Sequence, residues 1–406
     1  MHKFQHGQQS TGSFPNFMIK VLVSLVLLGF ITGCNILNLG QSVFSQGAED
    51  VNSPKPLQKI SATVPVSTAW STKLGSALEG THTGMRPAFS DGVIYAAGTG
   101  GTVKAIEALT GKVLWTQNLN LLLSGGPGVS NDLVVLGGYD GVVVALEAKT
   151  GQEKWRNQVT SEILAAPAVD SDYVAVRSAD GRTTMLSAID GQELWFDEQE
   201  VPRLSVRGYS APVLIGGILI SAYDNGKLIA FNPVNGMIAW QSVLGIPRGK
   251  SELERLVDID GNFEIVETDI YVAGYQSRLG KIDGRSGRLT WGQDLSSSAG
   301  LGVDSENIYV TNANDTISAF GMESGQALWS NDDYNYRSLT APMPVAGSLI
   351  AGDYDGYVHV LSSIDGSTQA RVRLSKAAIT STPLILGSLA IVQADDGKLA
   401  AYRIGE

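Results

Sequence analysis

The sequence predicts an all-β fold, an eight-bladed β-propeller of four-stranded antiparallel blades, and three observations predict it. The first is a recurring phrase that ends in tryptophan: "ALTGKVLW" (108–115), "AKTGQEKW" (148–155), "AIDGQELW" (188–195), "PVNGMIAW" (233–240), "GRSGRLTW" (284–291) and "MESGQALW" (322–329). A period of about 40 residues marks a propeller or solenoid, whose units bury their apolar faces only by stacking on one another. The second is a turn dipeptide ahead of each phrase, as in "YDGVVVALEA" and "DNGKLIAFNP", where Asp-Gly or Asn-Gly suits a β-hairpin. The third is a proline that opens an apolar strand, at Pro87, Pro127, Pro167, Pro212, Pro342 and Pro383. Proline has no ladder donor, so the first residue of a strand tolerates it.

The first two markers lead to the same number of blades. Six tryptophans (Trp115, Trp155, Trp195, Trp240, Trp291 and Trp329) end the phrases, Trp70 in "VSTAW" makes a seventh slot, and "SIDGSTQA" (363–370) is an eighth copy with Ala370 in the tryptophan place. The turns reach eight with the variants Gly100-Gly101, Gln276-Ser277 and Asn314-Asp315 and the final "DDGKLAAY". Every unit therefore reads as three strands followed by a tryptophan-bearing fourth. The chain starts with the outer strand of Trp70 alone and ends on a third strand without an outer partner. The two termini are thus expected to complete one blade between them, which closes the ring without a free edge. Tryptophans at one place in a repeat read as packing residues wedged between blades, each with an indole N–H to offer a neighbour's backbone.

Ahead of the repeats, Lys20 precedes the apolar run "VLVSLVLLGFI" (21–31), which has the length of a signal-peptide core and is short for a membrane span. "ITGC" follows and resembles a bacterial lipobox, in which Cys34, the single cysteine, takes the lipid. Several acyl chains on such a residue give durable anchoring. Asn35 stands next instead of the aspartate that resembles an inner-membrane retention signal, which directs the expectation to the outer membrane, facing the periplasm. The expected organisation is a signal peptide over 1–33 (with Met18 as an alternative start), a lipidated flexible tether over 34–60, and the propeller over 61–406.

Composition narrows the function. With 29 basic against 40 acidic residues and a net charge of -11, the chain is a poor fit to nucleic acid. Only His82 and His359 remain after processing, too few for a histidine-based metal site. "DIDGNFE" (258–264) begins like a calcium loop but puts glycine fourth, and "GIPRGKS" (245–251) is one residue short of a phosphate-binding loop. No metal, cofactor or catalytic residue is expected from these motifs.

The pattern A-x-x-x-G-x-x-x-W is similar to the tryptophan-docking repeat of pyrroloquinoline quinone (PQQ) dehydrogenases. That resemblance implies a quinone near the axis, a Ca²⁺ held by acidic and amide side chains, and an aspartate base, often beside a disulfide of adjacent cysteines. Here the lone cysteine belongs to the lipobox, and at about 43 residues per blade the repeats leave little chain for a quinone pocket. A second resemblance covers the whole chain. The lipobox, the tether, eight tryptophan-docking blades and the stretches "PRLSVRGYSAP" (202–212) and "SELERLVDID" (251–260) resemble the BamB family of outer-membrane assembly lipoproteins. This implies a non-enzymatic scaffold of the β-barrel assembly (BAM) complex, docking on the periplasmic POTRA domains of BamA and acting on nascent β-barrel proteins.

Insertions point to a surface. From each tryptophan slot to the next strand-opening proline the chain takes 12 or 13 residues in four blades, but 17 after Trp195, to Pro212, and 23 after Trp240, to Phe263 in the proline slot. Extra residues at equivalent points of a repeat project from one face. The first inserted loop carries Leu204, Val206 and Arg207, apolar contact plus a guanidinium fork; the second carries Asp258 and Asp260, two apart. By the resemblance these are the partner-docking positions, with Val206 where the family has a second leucine. The residue types alone also fit an intramolecular ion pair for Arg207 and aspartates that bend their loop or bond Arg255. The stretch from Trp70 to Pro87 is 17 residues too, so length alone does not make a docking loop. A quinoprotein-like enzyme or ligand-binding propeller and a polysaccharide- or peptidoglycan-associated propeller are the other classes the sequence leaves open.

Overall fold

The computed structural model describes residues 52–75, 84–202, 204, 210–247, 250–259 and 261–405, so Cys34 and the signal segment lie outside the described residues. The propeller belongs to a compact unit running from Pro54 to Glu406. Among the described residues there are eight sheets and no helix. Seven sheets have four strands in antiparallel order, and one has five.

Blade 1 spans Ala88–Ser90, Val93–Ala97, Thr102–Glu107 and Val113–Asn118, and the same sequence of short, buried, buried and half-exposed strands repeats around the ring. The second and third strands are buried almost throughout because a neighbouring blade covers each face, so they are apolar without alternation. The fourth strand is the outer edge, and its burial alternates. The innermost strands are only 2 or 3 residues long in seven blades, and in blades 1, 3, 4, 7 and 8 a marker proline lies directly before them. In blade 2, Pro127 instead sits inside Leu123–Val129, where the register slips between Gly125 and Gly128. That slip makes room for the extra strand, Gly84–Met85, which pairs in parallel with Gly125 and Gly126. This short strand ends the 17-residue stretch after Trp70 and was not legible in the sequence.

The hairpin turns differ in detail from the expectation. In the Asp-Gly turns ahead of the phrases only the glycine has positive φ, as at Gly141 (78°) and Gly181 (84°), and Asp315 (63°) takes the same place in a variant turn; at Asp91-Gly92, the first hairpin turn of blade 1, both residues have it (46° and 77°). Asp140 instead keeps an ordinary backbone, and its carboxylate accepts from the Val142 N–H at 3.2 Å.

The ring closes as the sequence predicts. Val66–Lys73 pairs with Lys398–Ile404, which places the N-terminal strand on the outside of the C-terminal sheet to complete blade 8. The tryptophan phrase locks one blade to the next. The indole N–H of Trp70 in blade 8 donates to Ala108 O in blade 1 at 2.9 Å, and Trp115 to Ala148 O, Trp155 to Ala188 O, Trp195 to Pro233 O, Trp240 to Gly284 O and Trp329 to Ser363 O repeat this at 2.7 to 3.1 Å. The phrase glycine of the receiving blade lies flat under the ring, and a Cβ there would come within 2.4 to 2.8 Å of the indole. Glycine is also required by its φ, 74° at Gly111 and 73° at Gly151. Each tryptophan-ended phrase therefore carries both halves of the lock: its glycine receives the previous tryptophan, with a carbonyl bond at every such junction but that of Trp291, and its own tryptophan reaches forward.

The stretch expected as the end of a tether is docked instead. Lys55 N–H donates to Asn335 O at 3.0 Å, and its ammonium pairs with Asp332 at 2.9 Å. Leu57 packs on the cluster that holds Tyr334, Leu339 and Trp329. Arg337 donates to Lys55 O at 3.2 Å and Arg371 to Gln58 O at 3.0 Å. Thr63 N–H then donates to Gln369 O, and Gly405 N–H to Pro65 O. The compact unit thus begins at Pro54, seven residues ahead of the boundary at 61, because two arginines clamp backbone carbonyls that carry no sequence signature.

Candidate functional site

The two inserted loops lie between neighbouring blades. One follows Glu193–Glu198 of blade 3 and leads to Val213–Ile215; the other follows Ile238–Val243 of blade 4 and leads to Glu264–Val266. Connections of this type leave the outer strand and return to the axis, so both loops rise from the same face of the ring.

In the first loop Leu204 is 46% exposed, an aliphatic side chain held in solvent. Val206 and Arg207 lie outside the described residues, as does Asp260 in the second loop. Asp258 is described and is fully buried. Its backbone bridges Tyr275, with Tyr275 N–H donating to Asp258 O at 2.7 Å and Asp258 N–H to Tyr275 O at 3.3 Å. In this arrangement Asp258 ties the loop to the blade 5 hairpin, and its carboxylate does not reach the surface.

The second loop is built to present something else. Ser251 and Glu254 form a capping box: Glu254 accepts from Lys250 N–H at 2.7 Å and from Ser251 N–H at 3.1 Å, while Glu254 N–H donates to Ser251 Oγ at 3.2 Å. Those backbone donors, that of Ser251 first, hold the Glu254 carboxyl below its ordinary pKa. Beyond the turn, Leu256, Val257 and Ile259 are buried and anchor it. The turn itself lifts Leu253 to 65% exposure, with Gln276 holding Leu253 O, and Ile246 at the start of the loop is 64% exposed. Leu253 and Ile246 were not singled out from the sequence; the signal was an S-x-x-E box around a leucine in an insertion. The sequence's site residues thus divide into exposed Leu204, structural Asp258 and three that the described residues do not include.

The second connection is also closely packed where it reaches the axis. Gly261 sits against Gly300 of the next connection so tightly that a Cβ would lie 2.3 Å from the Gly300 Cα. Ala211 N–H donates to Asn262 Oδ1 at 3.4 Å, which joins the end of one inserted loop to the end of the other. The exposed tips therefore stand on fixed bases.

Chemistry does not gather here. Among the described residues no group of His, Cys, Asp and Glu is arranged to hold a metal ion. The buried ionisable clusters are ion pairs within the fold: Arg177 with Asp224, and Arg337 with Asp353 and His359. No helix among the described residues is long and apolar enough to cross a membrane.

Comparison with known proteins agrees with the repeat. A family model described as "Outer membrane protein assembly factor BamB" matches residues 67–121, 99–331 and 313–406. The protein of that name from Pseudomonas aeruginosa is 45% identical over 351 residues, covering 86% of this chain and 92% of that one. Its Escherichia coli counterpart is 33% identical over 387 residues, 93% of this chain and 97% of that one. The crystal structure of BamB from Moraxella catarrhalis superposes with a TM-score of 0.74 at 26% identity, covering 82% of this chain and all of that one. The quinohemoprotein alcohol dehydrogenase of Comamonas testosteroni shares the propeller, TM-score 0.65, at 13% identity, a likeness of fold alone. The curated relatives carry the name of an assembly factor, not of an enzyme, and the chain is non-catalytic. With a family model spanning the repeats and relatives aligned over most of both chains, the chain belongs to the outer membrane protein assembly factor BamB family.

Proposed function

We propose that this chain is a scaffold lipoprotein of the BAM complex, anchored through Cys34 to the outer membrane on its periplasmic side. Its two inserted loops dock on the POTRA domains of BamA and so assist assembly and insertion of nascent β-barrel proteins. One observation carries the reading: neighbouring blades raise insertions from one face, and these hold Leu204, Ile246 and Leu253 in solvent on firmly packed bases. Exposed aliphatic side chains on rigid supports suit a protein partner, since little conformational freedom is lost on docking. Leu204 and Leu253 supply apolar anchors, and Val206 is assigned to the same apolar contact. Arg207 adds a guanidinium fork for carboxylate or carbonyl oxygens. Asp258 supports this surface from below by fixing the second loop to blade 5, and Asp260 is assigned to the contact with the partner.

Co-purification from detergent-solubilised outer membranes tests this, using the full chain with intact Cys34 beside Arg207→Glu and Leu253→Asp. Recovery of BamA with the parent, and its loss with equally folded variants, is the expected outcome. Failure to recover BamA with the parent, or undiminished recovery with both variants, would overturn the docking surface.

A further inference from the structure

The ring encloses a channel whose wall carries an unclosed pair of charges. Arg86 lies two residues before the innermost strand of blade 1, next to Pro87, and Glu264 opens the innermost strand of blade 5. In an eight-membered ring these blades face each other across the axis. Both residues line a cavity of about 460 Å³, and Arg86 also lines an adjoining one of about 180 Å³; Asn262 and Thr382 are common to both. Among the described residues no other ionisable side chain lines either cavity; the larger is walled mainly by the strand-opening prolines with alanines and aliphatic residues, the smaller by serines, threonines and small residues.

The two charges feel each other but do not meet. Among the described residues neither side chain has a hydrogen bond or an ion pair, and each acts on the other only through space. Arg86 cannot shed its proton, and enclosing a guanidinium away from water without a partner is costly. Burial pushes the Glu264 carboxyl above its ordinary pKa, with the charge of Arg86 opposing. Something able to bond both ends would relieve both. A simple anion on Arg86 would leave a second negative charge facing Glu264, whereas a zwitterion presents each wall with its opposite. The volume falls in the range of small-molecule sites.

We infer that the axial channel binds a small zwitterion of the amino-acid or dipeptide class, its carboxylate on Arg86 and its ammonium towards Glu264, with Asn262 at hand between the two cavities. This is independent of the docking loops. Isothermal titration of the full chain in detergent with L-alanyl-L-alanine tests it, with acetate and ethylammonium as half-ligands and with Arg86→Gln and Glu264→Gln. Saturable one-to-one dipeptide binding is expected, weakened about tenfold or more by either substitution, a change of about 1.4 kcal/mol or more. Acetate should lose its affinity in Arg86→Gln yet gain affinity in Glu264→Gln, a reversal that general damage to the fold does not produce. No saturable dipeptide binding by the parent overturns the site, and acetate bound as tightly as the dipeptide overturns the zwitterion assignment.

Discussion

Seven blade junctions in this ring receive a tryptophan, and the eighth, between blades 7 and 8, receives Ala370. The difference follows from how blade 8 is assembled. A tryptophan docks on the turn between the third and fourth strands of the next blade, using the glycine and carbonyl there. In blade 8 that turn does not exist as one piece, because its third strand is Lys398–Ile404 and its fourth is Val66–Lys73. An indole at position 370 would have neither a glycine to lie on nor a carbonyl to bond. The incoming chain fills the junction instead: Thr63 bonds Gln369, Pro65 O accepts from Gly405, and Val64 and Val66 pack in the cluster that holds Ala370. The repeat is thus a device that needs an unbroken neighbour, and closure is completed by the segment from Pro54 to Val66.

The largest expected effects come from interchanging the two solutions. Trp155→Ala removes a buried indole from a receiving glycine and should cost about 3–5 kcal/mol. Ala370→Trp inserts an indole where Ala370 is 2% exposed and no receiver exists, and should destabilise by about 1–3 kcal/mol through overpacking. Urea midpoints with unchanged slopes would measure both. A stabilising Ala370→Trp would break the account of the eighth junction.

Next in size is the segment itself. Leu57→Ala withdraws a partly buried side chain from the cluster of Tyr334, Leu339 and Trp329, and should cost about 1–2 kcal/mol, below the value for full burial. Limited proteolysis should then cut near residues 54–60 sooner than in the parent, with the blades still protected. Simultaneous loss of blade protection would mean that this segment and the ring unfold together.

How much of this was readable in advance depended on which atoms carry the contact. Tryptophan, glycine, turn and proline recur as side chains or as their absence, so the number of blades, the strand order and the shared blade were all legible. The clamp on residues 55–58 uses arginine side chains 282 and 313 positions away and accepts at backbone carbonyls, which every residue possesses. Polar composition therefore read as tether. At the inserted loops, length marked the right places, but not the direction of each side chain. Asp258 looked like a surface charge and is buried between Val257 and Ile259, while Leu253, which no pattern singles out, is lifted into solvent by a capping box. Arg86 and Glu264 line one cavity only because the ring brings blades 1 and 5 face to face, a relation absent from any local spacing.

The clamp also makes the closing region sensitive to acid. His359 is fully buried, with Nε2 against Asp353 Oδ2 at 2.9 Å and Nδ1 accepting from Arg371 Nε at 3.1 Å, and Arg337 reaches Asp353 at 2.7 Å. Burial, reinforced by the charges of Arg371 and Arg337 and opposed by Asp353, holds the His359 pKa below that of a free imidazole. An unfolded chain then takes up the proton first, so this contribution is complete above the ordinary imidazole range and fades as pH falls towards the folded value. Protonation would also set an N–H against the arginine that holds Gln58 O. Stability should therefore decline more steeply in the parent than in His359→Gln between about pH 7 and pH 5, a range around the free imidazole value. Parallel declines would remove His359 from the account.

The smallest effect sharpens the comparison among the tryptophan junctions themselves. Trp291 lies on Gly325 like the others, with a Cβ there 2.7 Å from its ring, yet its indole N–H has no acceptor. Trp115 on Gly151 has the same stacking and bonds Ala148 O at 2.8 Å. Replacement by phenylalanine removes comparable apolar area at both places, but only at Trp115 does it break a hydrogen bond, leaving Ala148 O with the Tyr95 hydroxyl alone at 3.3 Å. At Trp291 it removes a buried donor that was already unsatisfied. Trp115→Phe should therefore be the more destabilising of the two by about 1 kcal/mol, the net worth of one such bond. Equal losses would mean that stacking on glycine carries the lock and the indole N–H adds nothing; a larger loss at Trp291 would require an acceptor for its N–H in solution.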